Sequence, residues 1–483
     1  MSETRTPTPR RFDRRFTEGP IARSLVLLAV PIMGANILQV AYQLVDAFWV
    51  GRLGAAAVAS VSITMPVVFV LIAAGMGFAI AGTTLIAQYT GARDHAMVDH
   101  VAAQTLLTIV ALSIVLGGVG FAITPTLLHA MRVAPDVYRN ALAFMRLIFI
   151  GLPLMFVYAM VQGLMRGVGE VKIPLYIVAG TVVVNFCLDP LLIFGKFGLP
   201  ALGVPGAALA TLISQGCAAA VSLSLLFGGR YGIHVHWRDF KPDFAFVKRA
   251  FLLGYPASIE QSARGLGMTV MTFLITSFGT VVTASFGIGA NVVNVAVIPA
   301  MGFSLATSTL VGQNIGAGNI ARAEQVARLA SVITFVSLSG VGLLSFLLAP
   351  QVVAFFVPHA PQVIAEGAHL IRIVAWSFGF VGLQFALLGV LRAAGEMVPA
   401  MATSLVSQWV IQLPLAYLLA THTPLAANGL WWSMPIANIA TSAIAGTLFL
   451  RGRWKTKRLV NRPTLAEQQQ EQVEEHAQME GVP

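Results

Sequence analysis

Residues 75–92 and 300–317 are two copies of one segment, GMGFAIAGTTLIAQYTGA and AMGFSLATSTLVGQNIGA. Nine of their eighteen aligned positions are identical, among them Met76/Met301, Gly77/Gly302, Gln88/Gln313 and Gly91/Gly316. The same offset of 225 superimposes Pro31 on Pro256 and Gly54 on Gly279. A duplication of this length, in a chain 57% apolar and only 10% charged over 483 residues, implies two related membrane bundles. A soluble protein of this size lacks its polar shell at so low a charge content. Folds built from two repeated bundles place the substrate between the repeats near mid-membrane, and work by rocking one repeat against the other. The expected class is therefore a transporter.

A spanning helix needs about 20 apolar residues. Such stretches begin near residues 24, 57, 100, 138, 171, 205, 248, 281, 326, 366, 397 and 428. The expected fold is an all-α polytopic membrane protein, with about twelve transmembrane helices in two pseudo-symmetric six-helix bundles. Residues 1–228 form the N-terminal lobe, 229–245 a polar linker loop, 246–452 the C-terminal lobe and 453–483 a polar tail ending in a Gln/Glu-rich run. The motif Arg166-x-x-Gly169-Glu170 after the fourth span returns as Arg392-x-x-Gly395-Glu396 after the tenth.

The net charge of +10 follows membrane topology and is no nucleic-acid footprint. Lys and Arg gather at the N-terminus (Arg5, Arg10, Arg11, Arg14, Arg15), in the linker (Arg230, Arg238, Lys241, Lys248, Arg249) and after the last span (Arg451, Arg453, Lys455, Lys457, Arg458, Arg462). Twelve spans put all three groups on one side, and the positive-inside rule makes that side the cytoplasm of a multi-pass inner-membrane protein, with both termini cytoplasmic. No cleaved signal peptide is expected. Cys187 and Cys217 read as small buried residues with no disulfide framework. Gly316-Ala-Gly-Asn-Ile-Ala321 follows a span and no strand, which rules against a dinucleotide fold, and no P-loop occurs. His234 and His236 read as solvated loop residues. No nucleophile–base or metal cluster marks an enzyme, and no cofactor is expected.

An Asp or Lys within hydrocarbon costs about 2.5–3.5 kcal/mol even on the lenient insertion scale. Only Asp46, Asp189 and Glu260 lie well inside spans. Asn36, Gln39, Gln43 and Asp46 fall on one face of the first span, and Thr181, Asn185 and Asp189 on one face of the fifth. At the repeat offset Asp46 meets Met271, and the eleventh span offers Gln408 and Gln412 but no acid. The N-terminal half thus holds a carboxylate pair that its twin lacks. Two carboxylates close together in a low dielectric do not both ionise cheaply, so one holds a proton or the two share a cation. Asn185 supplies an oxygen ligand or an N–H donor. The alternative is that each acid is neutralised within a network that only ties helices together. Glu260, four residues before Arg264, is read first as half of a salt bridge and second as an ion or substrate contact. Tyr158 and Gln162 in the fourth span face either the acid pair or a neighbouring helix.

The motifs V-D-x-x-x-V-G-x-L-G (Val45–Gly54), Gln88-Tyr-Thr-Gly-Ala, Arg166-Gly-Val-Gly-Glu170, N-x-x-x-D-P (Asn185–Pro190) and G-x-x-G-A-A-x-A-T (Gly203–Thr211) occur in this order, together with the repeat. In this combination the chain, from about residue 20 to 452, resembles the MATE (multidrug and toxic compound extrusion) transporters. The acid in the first span with N-x-x-x-D in the fifth is similar to the DinF-like prokaryotic branch. The resemblance implies ion-coupling roles for Asp46, Asn185 and Asp189, and a hydroxyl ligand at Thr211 should the ion be sodium. Asn36, Gln43, Tyr158, Gln162 and Glu260 are further candidate contacts. The second site of the NorM-like branch needs an acid in the tenth span, and that span has none beyond Glu366 at its edge.

The resemblance further implies a V-shaped pair of bundles exporting amphipathic organic cations by antiport. The expected surroundings are the lipid bilayer and the expected working unit a monomer. The coupling ion is H⁺ or Na⁺, with H⁺ preferred because few further oxygen donors accompany the two acids. Pro31 offers a hinge in the first span. A flippase for lipid-linked precursors is the alternative, and would need a groove lined by several basic residues.

Overall fold

In the computed structural model, residues 15–460 are described except Leu199 and Arg230. Arg5, Arg10, Arg11, Arg14, Arg462 and the Gln/Glu-rich run therefore lie outside the described residues. Among the described residues the regular structure is helix alone. The N-terminal lobe comprises α1 (Ile21–Gly51), α2 (Ala55–Gly91), α3 (His95–Ala130), α4 (Pro135–Val168), α5 (Lys172–Phe194) and α6 (Val204–Gly228). The C-terminal lobe comprises α7 (Phe244–Thr276), α8 (Thr280–Gly316) and α9 (Ile320–Leu347), then three further spans. In the first of these, α10, Pro361–Ala375 and Phe378–Ala393 meet at a 47° bend. The next, α11, runs from Met397 to Thr421 through a π-helical turn at Val406–Gln412. The last is α12 (Ala427–Leu450).

Local chemistry repeats with the sequence. Asp94 caps α3 by accepting from the Met97 amide, and Asn319 caps α9 by accepting from Arg322. The two caps are themselves one repeat apart, and each satisfies an N–H that the helix start leaves open. Gly54 and Gly279 precede α2 and α8 with φ of 102° and 98°, a conformation a side chain would strain.

The duplicated segment of the sequence is the seam between the lobes. α2 packs on α7, α8 packs on α1, and α2 crosses α8. Gly77 lies against Ser258 and Gly302 against Met33, so closely that a methyl group on either glycine would overlap its neighbour. Ser258 and Met33 are again one repeat apart. At the end of the seam, Gly91 rests on the Gln313 carbonyl and Gly316 on that of Gln88. The two glutamines, both buried, reach into the opposite lobe. Gln88 donates to the Ala393 carbonyl at 2.7 Å, and Gln313 donates to the Gly167 carbonyl at 2.9 Å. This end carries Lys172, Lys241, Lys248, Arg249, Lys455 and Lys457 in its helix ends and connecting segments, and is called the basic end below.

Residues 453–460, placed above in the polar tail, dock under the seam. Trp454 is fully buried, and Leu459 donates its N–H to Gln88 Oε1 at 2.9 Å. The cysteines depart from expectation, since both are exposed. Cys187 lies midway between Asn185 and Asp189 in sequence, so helical geometry turns it away from the face those residues bury.

Candidate functional site

The site grows from three helices of the N-terminal lobe. On α5, Thr181, Asn185 and Asp189 stand one turn apart on a single buried face. Pro190 follows directly in the helix; lacking an N–H, it leaves a carbonyl of the preceding turn without its usual partner. On α1, Tyr42 and Asp46 stand four residues apart, the first buried and the second half-buried. On α6, Ser214 is buried and Thr211 half-buried.

Asn185 joins the two acids. Its amide orientation is set by its hydrogen-bond partners. With the nitrogen turned inward it donates to Asp46 Oδ1 at 3.1 Å and to Asp189 Oδ2 at 3.3 Å. Its oxygen then accepts from the Tyr42 hydroxyl at 3.2 Å. The Tyr42 hydroxyl also lies 3.1 Å from Ser214 Oγ. The Asp46 carboxyl comes within hydrogen-bonding reach of Asp189 and of the Thr211 hydroxyl. The cluster therefore contains two carboxyl groups, one amide that spans them, and three hydroxyls. No lysine or arginine takes part in these contacts.

Sequence reasoning placed Asp46, Asn185 and Asp189 together and the family resemblance added Thr211, and the structure brings those four into one cluster. It does not bring the other candidates there. Asn36 lies ten residues before Asp46 on the same helix, about 15 Å along its axis, where its side-chain nitrogen is buried without a partner. Gln43 is exposed and turned off the cluster. Tyr158 is buried beside Thr181, one turn before Asn185 on the α5 face. Gln162 accepts from Arg166 at 3.5 Å. Tyr158, Gln162 and Arg166 form a separate ladder on α4 at intervals of four. Tyr42 and Ser214 were missed. The signal for them was available, because Tyr42 is one turn from Asp46 and Ser214 one turn from Thr211 on the same faces.

Glu260 is 1% exposed and lies in the other lobe. Its Oε1 accepts from Arg264 at 3.2 Å, from Arg392 at 2.5 Å and from the Ser404 hydroxyl at 2.8 Å. Two guanidinium groups thus neutralise one carboxylate, so no charge is left over to hold a further cation. Gln408 donates to the Arg264 carbonyl at 3.1 Å and braces α11 against α7. Glu366 accepts from Trp431 at 2.8 Å. Removing one member of a buried ion cluster leaves its partner uncompensated. Glu260→Gln is therefore expected to destabilise the protein by about 3 kcal/mol, read as a lower midpoint of thermal unfolding in detergent, while gradient-driven transport persists in the folded fraction.

Comparison with known proteins agrees with this architecture. The MatE family profile matches residues 31–191 and 256–418, two segments that begin at the repeat-related Pro31 and Pro256. The chain is 29% identical over 450 residues to a probable multidrug resistance protein, YpnP, of Bacillus subtilis (strain 168), covering 92% of this chain and 98% of that one. It is 28% identical over 455 residues to a probable multidrug resistance protein, NorM, of Thermotoga maritima, with 92% and 96% covered. Among solved structures, a multidrug resistance MATE family transporter of the MOP superfamily in its outward-facing conformation superposes with a TM-score of 0.84 at 23% identity, covering 92% of this chain and 98% of that one. MATE in the bent conformation gives the same TM-score, 0.84, with 92% and 97% covered. Over two matched halves that coincide with its own internal repeat, the chain belongs to the MatE family, a family of membrane transporters.

Proposed function

We propose that this protein is a proton-coupled exporter of amphipathic organic cations, with Asp46, Asn185 and Asp189 as its coupling site. The observation that carries the reading is the amide of Asn185 spanning two carboxyl groups that have no cationic side chain beside them. Two such groups cannot both stay charged in a low dielectric without a compensating cation. A proton or a bound cation therefore changes the charge of the cluster and with it the contacts of α1 to α5 and α6. The names of the relatives, multidrug resistance proteins, support drugs as the cargo.

Proton rather than sodium is favoured by the chemistry of the donors. A sodium site needs a closed shell of oxygens, and the Asn185 amide presents its N–H groups to the acids while its oxygen faces Tyr42. Export would follow from alternating access of the lobes. The seam closes the basic end in this structure, and the Gln88 and Gln313 contacts must part before that end opens. The positive-inside rule assigns the basic end to the cytoplasm. Each chain holds both lobes and a complete acid cluster, so a monomer suffices. The flippase alternative is disfavoured, because Arg264 and Arg392 both pair with Glu260.

Proteoliposomes loaded with a fluorescent organic cation test the coupling ion. The expected result is efflux under an imposed pH gradient with no sodium present, and none under a sodium gradient at equal pH. Transport driven by sodium alone overturns the proton reading.

A further inference from the structure

A cavity of about 380 Å³ opens at the basic end, beside the seam. Its walls are the first turns of α7, the start of α11, and the segment Lys457–Leu459. Three cations line it, Lys248, Arg249 and Lys457, and only one of them is paired with an acid. Lys457 pairs with Glu396 at 3.3 Å. Arg249 donates to the Leu459 carbonyl. Lys248 is exposed and makes no ion pair among the described residues. One acid against three bases leaves a net charge of about +2 around the cavity.

The rest of the lining is apolar, with Leu252, Met397 and Val398 prominent. Leu252 and Val398 are 53% and 49% exposed. On a transmembrane protein, exposed Leu and Val next to a span face hydrocarbon, so the cavity is basic toward the membrane surface and apolar toward the bilayer. That gradient matches one class of molecule, which carries a negative phosphodiester on top and acyl chains below.

We propose that this cavity binds an anionic phospholipid of the cytoplasmic leaflet, with the phosphate at Lys248, Arg249 and Lys457 and an acyl chain along Leu252 and Val398. Its place in the fold gives the site a consequence. Leu459 is shared between the cavity and the seam, because its carbonyl accepts from Arg249 while its N–H is held by Gln88. A lipid seated there ties α7, α11 and the Lys457–Leu459 segment together, and so stabilises the closed basic end. The site itself does not depend on which ion drives transport.

The experiment is a lipid titration of the purified full-length protein, read by native mass spectrometry and by thermal unfolding. The probes are phosphatidylglycerol, phosphatidylcholine with the same acyl chains, and inorganic phosphate. Phosphatidylglycerol is expected to bind roughly tenfold or more tightly than phosphatidylcholine and to raise the unfolding midpoint, since each interfacial Lys adds roughly a fivefold preference for anionic lipid. The pair Lys248→Gln/Lys457→Gln should lose most of that preference with phosphatidylcholine binding unchanged. Arg451→Gln, an exposed base outside the cavity, should keep it. Three outcomes overturn the proposal: no preference between the lipids, equal retention of preference in the double variant, or equal competition by inorganic phosphate. Binding of phosphatidylglycerol only after removal of residues 461–483 would overturn it too, making the acidic tail the occupant.

Discussion

Asp46→Asn is expected to cut gradient-driven export sharply while leaving the fold intact. The substitution keeps the size and shape of the side chain and removes its ability to take up and release a proton. In the wild type, Asp46 and Asp189 are joined through the Asn185 amide. With an amide at position 46, Asp189 is left alone as a single carboxylate, and the electrostatic conflict that makes the site sensitive to the ion is gone. The expected fall in transport rate under a pH gradient is roughly 5- to 150-fold, the range that a coupling free energy of about 1–3 kcal/mol supplies. Stability should stay level or rise, because the cluster then has one buried ionisable carboxyl group to desolvate instead of two. Both are read on one preparation, by efflux of a fluorescent organic cation from proteoliposomes and by thermal unfolding. Undiminished export by the mutant would remove the coupling role from Asp46. Asp189 of the same cluster, and Glu260 of the other lobe despite its two arginine partners, would then be the next acids to test.

Gly91→Ala and Gly316→Ala are expected to disable the protein by a wholly different route. Each glycine lies on a backbone carbonyl of the opposite lobe, and a methyl group there overlaps that oxygen. The obstacle is backbone rather than a movable side chain, so the lobes themselves must separate at the basic end. Overpacking of this kind costs about 1–3 kcal/mol and occasionally more. Separation also pulls Gln88 from the Ala393 carbonyl and from the Leu459 N–H, and Gln313 from the Gly167 carbonyl. Either variant should thus lose most transport and unfold at lower temperature. Because the two contacts are related by the internal repeat, the two variants should be affected alike. Gly118→Ala is the control: it lies within α3 with open space around it, and should be neutral or slightly stabilising through helix propensity. A Gly91→Ala protein that transports at the wild-type rate would show that the seam does not have to close there.

Several features were legible because they depend on one helix or on one-dimensional pattern. Apolar stretches near the lipid-spanning length mark helices whatever their neighbours. Even here α7 is instructive. Though Phe244–Thr276 is 33 residues long, Lys248, Arg249, Glu260 and Arg264 make it less apolar than its companions, and it falls outside the ten helices that pass as spans on length and hydropathy alone. The apolar stretch beginning near residue 248 marked it in the sequence all the same, and its Pro256 answers to Pro31. The helical period likewise placed Asn185 and Asp189 on one face, and Asp46 on the inward side of α1.

What a single helix cannot say is how far along its axis, or against which partner, a polar residue will lie. Asn36, Gln43 and Asp46 share a broad stripe, yet only Asp46 stands level with Asn185 once α1 and α5 are packed. Gln43 is turned about 60° from Asp46 around the helix, and ends up exposed. Arg392, 132 residues from Glu260, completes an ion cluster that sequence spacing showed only as a pair with Arg264. The expected burial of Cys187 and Cys217 failed for a related reason. Hydrocarbon surrounds the bundle, so a small apolar residue is equally stable facing outward.

By itself the sequence determined the number of spans, the twofold internal plan, the basic end and the asymmetry that gives one lobe two acids. Periodicity and composition are enough for these, because each is a property of a segment in a bilayer. Tertiary structure alone decided that Asn185 bridges those acids, that Tyr42 and Ser214 complete the cluster, and that the duplicated segment is the seam through which the lobes meet. Those relations join helices of fixed rotation at one relative height, and only the packing of backbone against backbone sets that height.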